Sequence, residues 1–456
     1  MTSASDTRSL ETPARARGGL REVAGLAWPV VLSQMSSTLM GVVDTAMVGR
    51  LGPTELAAVG FAHIWTWTLF SIFIGTASGV QTFVAQHHGA GEEQRCGAWV
   101  WNALVVLAPA ALLSALAVGA LAPFWLAALG PSPELQARAL EFLPGRLVGL
   151  VGTTTAFAWA SFFRGVGDTR TPMLGAVIAN VVNASLCYAL IFGAAGFPRL
   201  GVAGSGLAMA VGEWSYAAFL ACAALRRTTR ARYATGYVAL RAHDVRRVLR
   251  TGLPIGGQWV LDMAAFAVFT TLVARMGDAS MAASQAFIAL LSLSFMQASG
   301  LSVAAATLVG RYVGAGDPAA AERSFRRALG LAAGLGVTVA TLFLTLPGPL
   351  LRLFSHDTAV LELGGPLLAL GAGFQLLDAL GIVASGALRG AGDTRWPFLA
   401  QAGLAWFVFL PAAWGLGIGL GGGLTGAWAG GLVYVAALAA AFVWRFRAGA
   451  WRRIRI

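Results

Sequence analysis

Residues 164–172 read RGVGDTRTP and residues 389–397 read RGAGDTRWP, so that seven of nine positions are identical at an offset of 225. The same offset pairs the Gly-Ala-Gly segment at 89–91 with the one at 314–316. One offset that holds over so much of the chain is strong evidence of an internal duplication. It predicts a fold built from two similar halves.

The composition is that of a membrane-embedded protein. Of the 456 residues, 57% are hydrophobic and 11% are charged, with a mean hydropathy of +0.71, whereas soluble domains are about 25% charged. A soluble globular enzyme is therefore excluded. Because a spanning helix needs about 20 apolar residues, we predict an all-α integral membrane protein with twelve transmembrane helices, six in each half. The spans are predicted near 25–48, 56–81, 97–119, 143–163, 172–193, 202–225, 252–274, 282–310, 328–351, 363–388, 397–418 and 424–444.

The distribution of arginine predicts the orientation. All 32 basic residues are arginine, and 26 of them fall in the two tails and the even-numbered loops between spans. By the positive-inside rule both termini are cytoplasmic. Six spans in each copy make the halves parallel repeats about an axis along the membrane normal. Arginines placed by topology in this way also argue against nucleic acid as a partner.

The predicted organisation has five parts. A cytoplasmic N-terminal tail (1–24) precedes an N-terminal six-helix bundle (25–225). A cytoplasmic arginine-rich linker (226–250) joins it to a C-terminal six-helix bundle (251–444), and a cytoplasmic tail (445–456) follows. The split between the last two spans rests on length and on the glycines between 419 and 423.

Four carboxylates lie inside predicted spans, in the first, sixth, seventh and tenth: Asp44, Glu213, Asp262 and Asp378. We expect no arginine inside a span. An ionised carboxylate at the centre of a spanning helix costs about 2.5–3.5 kcal/mol, so each acid needs a wet or paired environment or a proton. Mobile cations, namely protons, sodium ions or a cationic substrate, are then the expected counter-ions. Glu213 fits equally well as a single protonated hydrogen-bonding group.

Amide side chains accompany these acids. Gln34 shares a polar face of the first span with Asp44, and Gln258 and Gln375 each lie within about one turn before an acid. We expect these faces to point into a cavity. None of the three aspartates is kept at offset 225, so the acids are local additions to a duplicated scaffold.

Two equivalent prolines, Pro29 and Pro254, lie in the first turns of the first and seventh predicted spans. Each either starts its helix or bends it, and a bend would let that helix move as a gate. The three cysteines have no zinc-ligand spacing, and no phosphate-binding P-loop is present, so no cofactor is predicted.

The motifs taken together resemble the multidrug and toxic compound extrusion (MATE) family, in its NorM-type branch. The resemblance rests on the segment from Val43 to Gly52, on the paired motifs at 164–172 and 389–397, and on residues 252–256. It implies two six-helix bundles around a central cavity. It also implies export of lipophilic, often cationic compounds while Na⁺ or H⁺ enters. We further expect a monomer of the bacterial inner membrane.

The resemblance also implies roles for individual residues. Asp44 matches the acid of the first helix that the family uses in cation coupling. Asp378 matches the acid of the tenth helix, and Asp262 stands where the branch usually has glutamate. A sodium ion would bind at Asp44, or at Asp262 and Asp378.

One family motif, Asn-x-x-Leu-Asn in the fifth helix, is kept only in part. Asn183 matches its first asparagine, whereas Cys187 replaces the second, and Asn180 is a candidate substitute one turn earlier.

The hypothesis from the sequence is therefore an antiporter that is not an enzyme and that exchanges amphipathic organic cations for H⁺ or Na⁺ by alternating access. One alternative is a lipid-linked oligosaccharide flippase of the same superfamily. The other is an integral-membrane transferase, which would need clustered acids for magnesium.

Overall fold

A computed structural model describes residues 18–238, 240–354 and 357–454, and within these ranges all regular structure is helical. This follows from the composition, because a helix satisfies its own backbone hydrogen bonds in lipid.

Seventeen α-helices and four short 3₁₀ or π segments make up the described chain. The first half contains α1 (Leu20–Gly49), α2 (Pro53–Ser78), α3 (Val80–Gly89), a 3₁₀ turn (Glu93–Arg95), α4 (Cys96–Ala120), α5 (Ala122–Ala128), α6 (Pro133–Val166), α7 (Arg170–Phe192) and α8 (Gly201–Leu225). A short helix, α9 (Arg227–Tyr233), follows. The second half contains α10 (Ala242–Ala274), α11 (Asp278–Gly314), α12 (Pro318–Thr345), α13 (Pro347–Arg352), α14 (Thr358–Gly390), α15 (Arg395–Leu404), a π segment (Ala405–Phe409), α16 (Leu410–Trp414), a second π segment (Gly415–Gly419), α17 (Gly423–Arg447) and a 3₁₀ turn (Ala450–Arg453).

Twelve long helical segments coincide with the twelve predicted spans, and eleven of these, in the described residues, are long and apolar enough to cross a membrane. The twelfth, α6, has 34 residues but carries four charged side chains in its first half. The predicted division of the last two spans is confirmed, since one helical segment ends at Gly419 and α17 begins at Gly423.

The backbone repeats as the sequence does. The second glycine of each repeated motif adopts a left-handed conformation, with φ of +89° at Gly167 and +92° at Gly392. Side chains rarely adopt this φ, which explains why glycine stands at both places. Each glycine lies just after the end of one long helix and just before the next begins. The motif is therefore the turn between α6 and α7 in the first half and between α14 and α15 in the second half.

Each half has its own packing. In the first half α6 packs against α8 and α2, and α7 packs against α8; in the second half α14 packs against α11, α12 and α17. Between the halves, α1 and α3 contact α11, and α2 contacts α10.

The contact between α2 and α10 is made by two small-residue motifs. Gly75 and Gly79 on α2 face Gly256 and Gly252 on α10, so closely that a Cβ on Gly75 would overlap the Gly256 backbone. A Cβ on Gly79 would lie 2.9 Å from the Cα of Gly252. Glycines four residues apart allow two membrane helices to approach at backbone distance.

At the end of the molecule that carries the two repeated motifs, here called the motif end, matched hydrogen bonds join the halves. The Thr82 hydroxyl donates to the carbonyl oxygen of Arg389, and the Thr307 hydroxyl donates to that of Arg164, both at 2.9 Å. Both the donors and the acceptors are related by the offset of 225. The duplication therefore produced two equivalent bonds.

The two prolines lie inside helices, so of the two alternatives the one in which they start their helices is excluded. Pro29 is the tenth residue of α1, and Pro254 is the thirteenth of α10. The helices begin earlier because polar residues extend them beyond the apolar spans. A proline at such a position removes one backbone donor, and the alternative of a bend therefore stands.

Candidate functional site

In the first half, α1 and α7 bring Asp44 and Asn183 together. The Nδ2 atom of Asn183 donates to both carboxylate oxygens of Asp44, at 3.0 and 3.3 Å. Asp44 is 6% exposed and Asn183 is 7% exposed. Cys187, one turn after Asn183, is also buried and its thiol lies against the same carboxylate. An amide and a thiol thus surround Asp44, and both are neutral groups.

The expectation that no arginine lies inside a span is wrong for Arg146. Its side chain is 3% exposed, and its Nη1 atom lies 2.7 Å from Oε1 of Glu213 on α8. The guanidinium also stacks on the Phe70 ring, 3.9 Å from the ring centroid. α6 is polar enough to start well before its apolar part, which places Arg146 in the bundle interior rather than in a loop. Glu213 therefore has a fixed counter-charge.

The other polar residues of α1 do not share one environment. Asp44 turns toward α7, whereas its neighbour Thr45 is exposed and donates to the carbonyl oxygen of Gly41 in its own helix. Consecutive helical residues point about 100° apart, which separates the two side chains. Gln34 is half-buried. Asn180 donates to the Ser36 hydroxyl at 2.7 Å and not to Asp44, so it does not replace the missing asparagine.

In the second half, Asp262 on α10 lies in a network of neutral donors. Nε2 of Gln401 on α15 donates to its Oδ2 atom, and the Tyr434 hydroxyl on α17 lies 3.5 Å from its Oδ1 atom. Gln258, one turn before Asp262, donates to Oε1 of the same Gln401 at 2.9 Å. Gln258 and Asp262, which the sequence predicted to lie together, are thus bridged by hydrogen bonds to the Gln401 side chain of α15.

Asp378 on α14 completes this second group. It lies close enough to Asp262 for the two charges to interact, and no hydrogen bond or ion pair to it is found in the described part of the chain. Gln375, one turn before it, donates to the carbonyl oxygen of Leu291 on α11 at 3.3 Å. Two carboxylates thus lie near each other, and within the described residues Asp378 has no hydrogen-bond or ion-pair partner.

The structure therefore places the aspartates in two separate groups, Asp44 in the first half and Asp262 with Asp378 in the second. Within the ranges described, no group of three or more His, Cys, Asp or Glu could hold a metal ion. Two surface grooves in the described part of the chain are not lined by any of the intramembrane acids.

Three polar neighbours of the intramembrane acids were not predicted from the sequence: Arg146, Gln401 and Tyr434. Gln401 and Tyr434 are isolated polar residues in the last two predicted spans, which was a usable signal. Arg146 lies at the edge of a span, where sequence cannot distinguish a loop from the first turns of a helix.

Comparison with protein families finds one that matches twice. The MatE family model matches residues 29–189 and residues 254–414. The two matched ranges have equal lengths and start 225 residues apart, at Pro29 and Pro254. The duplication inferred from the sequence is confirmed.

Relatives match along almost the entire chain. The chain is 33% identical to the probable multidrug resistance protein NorM of Pseudomonas putida over 96% of this chain and 95% of that protein. It is 33% identical to the protein of the same name from Rhodopseudomonas palustris, over 94% and 92% of the two chains. The crystal structure of the Vibrio cholerae MATE transporter VcmN in its bent form has the same fold, with a TM-score of 0.86, 20% identity, and 95% and 98% of the two chains covered.

Proposed function

Because the chain belongs to the MATE family, we propose that it is a transporter that exports lipophilic organic cations in exchange for H⁺ or Na⁺. The relatives named above are multidrug resistance proteins, which supports drug-like compounds as the cargo. A transporter of this family is not an enzyme.

The observation that carries the ion-exchange part of the proposal is the absence of fixed counter-charges at the aspartates. In the described residues, no Arg or His forms an ion pair with Asp44, Asp262 or Asp378. Arg389 acts on Asp262 only at longer range, and its guanidinium binds the Ser385 hydroxyl. Arg146 likewise acts on Asp44 only at longer range, and its guanidinium is paired with Glu213. A buried carboxylate without a fixed base must be neutralised by a mobile cation or a proton.

Competition for these carboxylates accounts for exchange. A coupling ion and a cationic substrate both neutralise the same charge, so binding of one favours release of the other. Asp44 and the pair of Asp262 and Asp378 lie in different halves, so each half has its own site for a cation. Phenylalanine and tryptophan side chains supply apolar and cation–π contacts to the substrate.

Alternating access follows from the connection between the halves. In the orientation predicted from arginine, the motif end is cytoplasmic, and the hydrogen bonds of Thr82 and Thr307 close that side. In this proposal the substrate path between the halves is open to the outside when the cytoplasmic side is closed. The two halves would rock about the linker 226–250 to open the cytoplasmic side.

We place the protein in the bacterial inner membrane as a monomer, with both termini in the cytoplasm. Of the 32 arginines, 26 were assigned to the cytoplasmic side and six to the outer side. Arg146, one of these six, is buried inside the bundle and not in an outer loop, which supports this orientation. The flippase and transferase alternatives gain no support from the relatives, which are multidrug resistance proteins.

The test is transport in vesicles that contain the purified protein. Export of ethidium, a lipophilic cation, is measured under an imposed pH gradient and, separately, under an imposed sodium gradient. Asp44→Asn, Asp262→Asn and Asp378→Asn are compared with Asp278→Asn, which changes an exposed acid at the start of α11. The proposal expects loss of gradient-driven export in the three intramembrane variants and normal export in Asp278→Asn. Undiminished export in all three would refute it.

A further inference from the structure

A groove of about 880 Å³ lies where α10 and α15 begin. Three arginines line it, Arg246 and Arg250 from α10 and Arg395 from α15. Apolar side chains, including Val245 and Leu249, form the rest of its wall. The groove thus combines strong positive charge with an apolar surface.

The three arginines are exposed, and no ion pair to any of them is found in the described chain. Other arginines in the arginine-rich connections do have acidic partners. Arg232 binds Glu93 and Arg445 binds Asp393, each at 2.8 Å. The charge of the groove is therefore available to an anion.

The apolar surface continues from the arginines into the membrane-spanning part of both helices. Leu253, one turn after Arg250, is 48% exposed, and Leu399, one turn after Arg395, is 66% exposed. An anion held by the arginines could therefore carry hydrocarbon chains that lie along these leucines.

We propose that this groove binds the headgroup of an anionic phospholipid of the cytoplasmic leaflet. Guanidinium groups form paired hydrogen bonds to phosphate oxygens, and basic pockets between helices on the cytoplasmic side are suited to anionic lipid headgroups. The exposed leucines favour a lipid over free phosphate, because only a lipid covers apolar surface.

A lipid at this place would join α10 and α15, the two helices that carry Asp262 and its partner Gln401. Gly257 of α10 packs on the Phe398 ring of α15. The next residue, Gln258, donates a hydrogen bond to Gln401 of α15, and Gln401 in turn donates to Asp262. Gln258 lies eight residues after Arg250, or about 12 Å along the helix. The bound headgroup therefore holds α10 and α15 together about two turns from Gln258 and about three turns from Asp262.

The test measures lipid binding and not transport, so its outcome is separate from that of the proposed function. Full-length protein in an uncharged detergent is titrated by calorimetry with dioctanoyl phosphatidylglycerol, dioctanoyl phosphatidylcholine and inorganic phosphate. The groove variant carries Arg246→Gln, Arg250→Gln and Arg395→Gln. The control variant carries Arg226→Gln, Arg227→Gln and Arg453→Gln, three exposed arginines outside the groove.

We expect phosphatidylglycerol to bind the unmodified protein and the control variant, and the groove variant to lose on the order of 100-fold in affinity. Phosphatidylcholine and inorganic phosphate should bind at least tenfold more weakly. Equal losses in both variants would overturn the proposal, and so would phosphatidylglycerol binding that the groove variant retains. Inorganic phosphate binding as tightly as the lipid would also overturn it. The single variant Arg395→Gln, with a smaller loss, guards against misfolding of the triple variant.

Discussion

The Nδ2 atom of Asn183 donates hydrogen bonds to both carboxylate oxygens of Asp44 and so holds this side chain in place. Hydrogen bonds to a charged group contribute about 1.5–3 kcal/mol. We predict that Asn183→Ala lowers gradient-driven export in vesicles roughly tenfold or more, because the carboxylate loses the group that positions it. The matched control is Asn180→Ala on the same helix, whose amide binds Ser36 and should leave export almost unchanged. Equal effects of the two variants would contradict the role given to Asn183.

The pair of Arg146 and Glu213 is predicted to be structural. Removing one partner of a buried ion pair leaves an uncompensated charge, at a cost of about 3–5 kcal/mol, whereas replacing both with apolar residues is often neutral. Glu213→Leu should therefore lower the thermal unfolding temperature in detergent, and Arg146→Met with Glu213→Leu should restore most of it. If the double variant unfolds at the temperature of the single one, the pair is not a self-contained unit.

At the scale of the residue, the sequence located the acids inside the spans but not all of their partners. Charge inside an apolar span is visible in a sequence, and so Asp44, Asp262 and Asp378 could be found. The family resemblance pointed to Asp44 and to Asn183 separately, but their contact is known only from the structure. The bond from Gln401 to Asp262 joins residues 139 positions apart, and only the packing of α15 on α10 creates it.

At the scale of the helix, the crossing of α2 and α10 depends on glycine. We predict that Gly75→Ala destabilises the protein by about 1–3 kcal/mol, because a Cβ there overlaps the Gly256 backbone and forces the two helices apart. The control is Gly60→Ala, also on α2, where a Cβ meets no atom within 4 Å. Thermal unfolding in detergent should show a clear loss for Gly75→Ala and none for Gly60→Ala. A similar unfolding temperature for both variants would exclude this crossing as a tight contact.

Helix positions were predictable because long apolar runs leave the chain few alternatives. Helix ends were harder to predict. Both α1 and α10 begin several residues before their apolar spans, which is why Pro29 and Pro254 lie inside helices. The π segment at Ala405–Phe409 also escaped prediction. It precedes Pro411, which has no backbone donor, so the helical hydrogen-bond ladder is locally altered there.

At the scale of the whole molecule, the two equivalent bonds of Thr82 and Thr307 are predicted to hold the cytoplasmic side closed. Each hydrogen bond contributes about 0.5–1.5 kcal/mol. Thr82→Val and Thr307→Val should therefore each shift the population toward an open cytoplasmic side by a similar factor, and the double variant should shift it further. Spin labels at Ala90 and Ala315, exposed and related by the offset of 225, would report the distance.

Thr66→Val is the control for this measurement, because the Thr66 hydroxyl binds carbonyl oxygens of its own helix. It should leave the distance distribution unchanged. A distribution that is the same in all variants would mean that these bonds do not close the molecule.

The central claim is that the carboxylates at Asp44, Asp262 and Asp378 are neutralised by exchangeable cations. It is tested most directly by counting the ions that leave purified protein in detergent when ethidium binds, with a pH electrode in weak buffer and a sodium electrode. The account predicts release of H⁺ or Na⁺ with each bound ethidium, and less release in Asp44→Asn or in Asp262→Asn with Asp378→Asn. Ethidium binding that releases no ion, or release unchanged in all of these variants, would contradict it.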